Sequence, residues 1–152
     1  MMQRAERARK QDPRSVPWDI PREVDVLAVD TTWGKLQPLQ VTPEIRTVGE
    51  LEVIELVEQG AALIDSRTVG SLGGRTLPGA VRVPHDELPA RVGDLDRSRL
   101  SILFCNGPQC PQSPDSLRSL LEAGYPADRL AYYRGGLHDW TTLAPPTEPV
   151  DG

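Results

Sequence analysis

From Thr47 onward, short apolar runs alternate with helix-like segments stopped by Gly or Pro, and this alternation constrains the fold more than any other feature of the chain. Thr47-Val48-Gly49-Glu50 is a capping-box pattern and precedes Leu51, Ile54 and Val57 at helical spacing. Gly60 stops that helix, and Ala61-Ala62-Leu63-Ile64 follows as a short buried strand ending at Asp65. Beyond a Gly-rich loop, Ala80-Val81-Arg82-Val83 predicts a second strand. A short helix is expected within Asp86 to Val92, and Leu100-Ser101-Ile102-Leu103-Phe104 is the central strand that delivers Cys105. Ser113 as cap, Pro114 at the first helical position and Asp115 in the first turn open the next helix. Its buried stripe is Leu117, Leu120 and Leu121, and its stop is Gly124. Leu130-Ala131-Tyr132-Tyr133 is the final strand, before a short helix near Leu137 to Trp140. Such alternation predicts an α/β fold whose mainly parallel central sheet carries helices on both faces. Ligands in these sheets bind beyond the carboxyl ends of the strands, which gathers Asp65, Cys105 and Arg134 on one rim.

The 152 residues divide into an N-terminal extension over 1–40, a single domain over 41–146 and a short tail over 147–152. The extension combines Arg4, Arg7, Arg9 and Lys10 with Pro13, Pro17, Pro21 and Pro38, and is read as a partly ordered arm, a poorly ordered or surface-packed extension ahead of the alternative of a tail that binds a protein partner. Within it, the run from Val24 to Val29 suits an edge strand, with Trp18 or Trp33 pinning the arm to the domain. A formal net charge of -5 argues against nucleic acid as a partner, because duplex affinity comes largely from clustered Lys and Arg. No stretch reaches the roughly 20 apolar residues needed to cross a bilayer. The first residues lack the apolar region of a secretion signal, so a cytoplasmic location is expected.

The only thiols, Cys105 and Cys110, stand in one loop, Cys105-Asn106-Gly107-Pro108-Gln109-Cys110-Pro111, between the central strand and the next helix. A thiol at such a strand end meets loop amides and the positive end of the following helix, which lower its pKa. Cys105 is therefore the candidate nucleophile, and Cys110 is either a resolving thiol or a loop-packing residue. Pro108 and Pro111 lack N–H groups, which leaves Asn106, Gly107, Gln109, Cys110, Gln112 and Ser113 as possible amide donors. His85 and His138 lack the spacing to make a zinc site with the cysteines, so no metal is expected.

Four ordered segments together resemble the rhodanese family of sulfurtransferases over roughly Thr47 to Pro146. Leu63-Ile64-Asp65-Ser66-Arg67 resembles the strand-end Asp-x-Arg signature. Gly74-Arg75-Thr76-Leu77-Pro78-Gly79-Ala80 resembles the Gly-His-Ile-Pro-Gly-Ala turn, with Arg75 in place of His. Phe104-Cys105-Asn106-Gly107 resembles the entry to the active-site loop, and the run from Arg134 to Trp140 resembles the closing Gly-Gly-x-x-x-Trp motif. The resemblance implies transfer of a sulfane sulfur from thiosulfate or a related donor to a thiophilic or thiol acceptor, through a persulfide on Cys105 and without a cofactor. Arg67, Arg75 and Arg134 are substrate-binding candidates that could attract an anionic donor, and each is equally suited to a solvated surface charge or a structural ion pair, while Asp65 at its strand end is read as a structural support. The chain departs from the common pattern in carrying Cys110 where many active members have an Arg, and in starting its helix later, after Pro111 and Gln112. A phosphatase of the same fold would need an Arg to grip the phosphate, and this loop has none. Two alternatives stand beside the transferase: a non-catalytic rhodanese module that binds a protein partner, and a Cys105/Cys110 dithiol redox protein.

Overall fold

The computed structural model describes residues 36–68 and 74–150, together with Arg22 and the backbone of the strands Trp18–Asp19 (β1) and Leu27–Ala28 (β2), which pair antiparallel. The remainder of the arm proposed for a protein partner, and most of the Gly-rich loop, lie outside the described residues. After these come β3 (Arg46–Thr47), helix α1 (Glu50–Glu58), β4 (Ala62–Asp65), β5 (Arg75–Thr76) and β6 (Val81–Arg82). Helix α2 (Leu88–Arg91), β7 (Ser101–Phe104), α3 (Gln112–Glu122), β8 (Leu130–Tyr132), α4 (Gly136–Thr142) and β9 (Glu148–Pro149) complete the chain. The order β3-β8-β7-β4-β6 forms one parallel sheet, with β7 at its centre paired to β4 and β8. The expected α/β architecture is thus the observed one.

Alternation along the strands divides the core between the two faces of the sheet. Ile102 and Phe104 of β7 join Leu63, Val53, Leu137 and Trp140 on the face covered by α1 and α4. Leu103 points the other way, to Ile64, Leu88, Leu117 and Leu120 beneath α2 and α3. Tyr133 and Trp140 meet edge to face, with centroids 6.1 Å apart at 77°. The indole N–H then donates to Pro146 O at 2.8 Å, and the Tyr133 hydroxyl to Glu50 Oε1 at 2.9 Å.

Two details differ from the sequence expectation. The apolar stripe Leu51, Ile54 and Val57 faces outward, and the buried residue of α1 is Val53, with Leu56 packed beside it. Packing against Leu63, Leu137 and Trp140 selects this face, and at the start of the helix the Gly49 N–H donates to Glu52 Oε1 at 3.1 Å while the Thr47 hydroxyl donates to Leu39 O. Helix α3 starts at Gln112 rather than after a Ser113 cap, because the Asp115 N–H already reaches Pro111 O at 2.9 Å. Pro114 still sits in the first turn, where its missing N–H costs no helical hydrogen bond. The segment after residue 146 also packs on the domain: β9 pairs antiparallel with β5, and Glu148 Oε1 accepts from the Gly79 N–H at 2.9 Å.

Candidate active site

Strand β7 ends at Phe104, and the following loop turns back at once: the Cys110 N–H donates to Gly107 O at 3.0 Å. Two carbonyls at the start of the loop face the first turn of α4. Cys105 O accepts from the Leu137 N–H at 3.0 Å, and Asn106 O from the His138 N–H at 2.7 Å. In a trans peptide the C=O and the next N–H point in opposite directions, so these bonds turn the Asn106 and Gly107 amides away from α4 and into the loop. Gly136 makes the approach possible. At φ +58, a Cβ there would lie 2.3 Å from Cys105 O and 2.9 Å from Gly107 N.

Both sulfurs are buried in this loop, Cys105 at 2% and Cys110 at 3% relative exposure. They lie within hydrogen-bonding reach of one another, and Cys105 Sγ is 3.5 Å from Cys110 O. Amide donors are divided between them: the Gln112 and Asn106 N–H groups serve Cys110, and the Ser113 N–H serves Cys105. Gln112 and Ser113 are first-turn residues of α3, whose N–H groups have no partner within the helix.

The result corrects the expectation of a low pKa at Cys105. Burial, followed by the hydrogen bond and the charge of Cys110, pushes the Cys105 thiol up. The Cys110 thiol is pulled down, first by the hydrogen bond from Cys105 and further by the Gln112 and Asn106 amides and the Arg67 charge. The two thiols titrate as a pair, in which Cys110 is the better supplied with donors and the Cys105 S–H lies against Cys110 O. The Ser113 side chain adds a hydroxyl that favours a charged Cys105 yet makes no complete hydrogen bond in the resting protein.

A buried ion pair ties the loop to the neighbouring strand. Arg67, with none of its surface exposed, grips Asp65 through Nε (2.9 Å to Oδ1) and Nη2 (2.7 Å to Oδ2). Asp65 also accepts from the Arg67 N–H and the Thr76 hydroxyl. The same guanidinium reaches Asn106 Oδ1 at 3.2 Å and Arg75 O at 2.7 Å. Of the readings open for Arg67, the structure shows the structural ion pair, and the guanidinium also holds Asn106 in place. Asp65 is its anchor.

The other two arginines are also engaged. Arg75 donates to Thr147 Oγ1 (2.6 Å) and Thr147 O (3.2 Å), at the approach to β9. Arg134 donates through Nε and Nη2 to Gln37 O, at 3.0 and 2.8 Å, while the Gln37 N–H donates to Pro108 O at 2.7 Å. Gln37 is therefore a link between Arg134 and the outer side of the active-site loop, and no local pattern marks it because it lies far from both in sequence. Gln109 and Pro111 complete the turn, with Pro111 preceding α3. Gln112 Nε2 donates to Thr68 Oγ1 at 3.2 Å. His138 stacks its Cβ beside Gly107, and its Nδ1 lies 2.8 Å from Asp139 Oδ1. His85 is not part of this cluster; its backbone N–H donates to Ser66 O.

A parallel sheet whose central strand delivers a cysteine into an amide-lined loop, braced by an Asp-x-Arg pair, defines a rhodanese-type site. The rhodanese-like domain family matches residues 51–143, and the chain belongs to that family. A thiosulfate sulfurtransferase from Pseudomonas aeruginosa is 30% identical over 69% of this chain and 20% of its own, with a TM-score of 0.58. A full-length protein from Lactobacillus plantarum, 18% identical with a TM-score of 0.60, covers 68% of this chain and 88% of its own and shares the fold. An HTH-type transcriptional regulator of Mycobacterium tuberculosis is 29% identical over 98 residues, which are 64% of this chain and 42% of the regulator. The chain therefore spans less than half the length of that curated relative. Among the described residues, no helix is long and apolar enough to cross a membrane.

Proposed function

We propose that the protein is a sulfurtransferase of the thiosulfate type, in which Cys105 takes up a sulfane sulfur as a persulfide and passes it to a thiophilic or thiol acceptor. The observation that carries this reading is the position of Cys105, directly after the central strand, in a loop whose first two carbonyls are engaged by α4 and whose end leads into the first turn of α3. Family membership supports the class, and the Pseudomonas enzyme suggests the donor.

The thiol pair supplies the proton chemistry. Cys110, as thiolate, receives the Cys105 proton while Cys105 Sγ attacks the outer sulfur of thiosulfate and sulfite departs. The products are a Cys105 persulfide anion, a neutral Cys110 thiol and sulfite, with charge conserved. Amides of the loop and the Ser113 hydroxyl suit the new anion. Arg75 and Arg134 donate to carbonyl and hydroxyl oxygens rather than to carboxylates, which leaves their positive charge to attract an anionic donor.

Thiosulfate treatment followed by mass spectrometry is expected to place one added sulfur on Cys105, and Cys105→Ala is expected to reduce thiosulfate-to-cyanide transfer to the uncatalysed level. A folded protein that gains no sulfur from thiosulfate or related donors would overturn the proposal. The pH dependence follows from the coupled pair. Loading of the wild type is expected to rise with pH through the lowered ionisation of Cys110, below the ordinary thiol range. In Cys110→Ser the base is gone and burial acts on Cys105 alone, so the rise moves above that range. An identical profile for the two proteins would remove Cys110 from the role of base.

A further inference from the structure

We infer that Cys110 is a built-in acceptor: it attacks Cys105 Sγ of the persulfide, closes a Cys105–Cys110 disulfide and expels the outer sulfur as hydrosulfide. This rests on the persulfide reading above and gives the sulfur a destination within the chain. Four observations support it.

Cys105 Sγ lies 3.5 Å from Cys110 O and within hydrogen-bonding reach of the Cys110 thiol, because the Gly107-to-Cys110 turn folds the chain back so that residue 110 lies beside residue 105. The chain has two cysteines in all, and the second stands five residues after Cys105 in the same loop, at a spacing that lets the two close a small ring. Both sulfurs are almost fully enclosed. The donor has to reach the loop from solvent, and an outside acceptor would need a second such encounter, whereas Cys110 is already in place. Finally, the Asn106 and Gln112 amides lie at Cys110, where they favour the charge that develops on its sulfur as the proton leaves for the outer sulfur.

The step balances without an oxidant. The persulfide anion on Cys105 and the neutral Cys110 thiol together hold one negative charge and one proton. A bond forms between the Cys110 and Cys105 sulfurs, the bond from Cys105 to the outer sulfur breaks, and the proton leaves with that sulfur as HS⁻. The sulfane sulfur is reduced and the two thiols are oxidised. An external dithiol then resets the loop by thiol–disulfide exchange, becoming a disulfide itself.

The test uses the full chain, reduced, under anaerobic conditions, with thiosulfate and no cyanide. The wild type is expected to release one hydrosulfide per chain and to end with Cys105 and Cys110 joined, two hydrogens lighter than the reduced protein. Added dithiothreitol should then make hydrosulfide release continuous. Cys110→Ser and Cys110→Ala, loaded to completion at alkaline pH, are expected to keep the sulfur on Cys105 and to release hydrosulfide at least about tenfold more slowly. A wild type that holds a stable persulfide with Cys110 still free overturns the inference while leaving the transferase reading intact. Failure of any protein to take up sulfur or release hydrosulfide overturns both.

Discussion

Replacing Arg67 with Met is expected to lower the unfolding free energy by about 3–5 kcal/mol, because it leaves the buried Asp65 carboxylate without its counter-charge. Asp65 would retain only the residue 67 N–H and the Thr76 hydroxyl, and removing a partner from a buried charge costs more than the pair itself contributes. For a chain of this length each kcal/mol corresponds to roughly 2–4 °C, so the midpoint of thermal unfolding should fall by about 10 °C. The lesion also removes the guanidinium bonds to Asn106 Oδ1 and Arg75 O, which Arg67 holds together. Urea unfolding is the measurement, and a double variant with Asp65→Leu should recover most of the loss by removing the stranded charge. A single-variant loss below about 1 kcal/mol would mean that the ion pair is exchanging with water and is not the brace described here.

Gly136→Ala is expected to damage the site more than the fold. A left-handed backbone costs an alanine about 1–2 kcal/mol, which a folded domain tolerates. The contacts are the larger problem: the new Cβ would stand 2.3 Å from Cys105 O and 3.1 Å from the carbonyl carbon of Asn106, both main-chain atoms that no rotamer change can move aside. Relief requires the loop to leave α4, breaking the bonds from Leu137 and His138 that turn the Asn106 and Gly107 amides inward. Sulfur loading of Cys105 should fall by about 100-fold, the scale of a 1 Å misplacement in a reacting group. The two thiols, now buried, should react with a thiol reagent faster. Gly124→Ala is the control: its φ is +85 but nothing lies within 4 Å of the added carbon, at the far end of α3. If both variants load and label alike, backbone strain rather than loop displacement is the cause, and the packing argument fails.

The order of elements was legible in the sequence because it depends on local periodicity and punctuation, and β4, β7, β8, α3 and α4 all appear near their expected places. The buried face of α1 was not. Leu51, Ile54 and Val57 keep helical spacing as well as Val53 and Leu56 do, and only the docking of the helix on β4 and α4 decides which set is covered. The start of α3 was misplaced for a related reason: Ser113 has the chemistry of a cap, but its side chain is directed to the Cys105 site instead of to its own helix.

By itself, the sequence determined the parallel α/β fold, the cysteine at the end of the central strand and the presence of a second thiol in the same loop. Each is a property of neighbours along the chain. Tertiary structure alone decided that Arg67 faces inward to Asp65 and Asn106, that Gln37 bridges Arg134 to the loop, and that burial and the loop amides act unequally on the two thiols, raising Cys105 and lowering Cys110. Those outcomes depend on burial and on donors brought together from distant segments, and the electrostatic cost of enclosing a sulfur or a guanidinium exists only once the surrounding elements have packed.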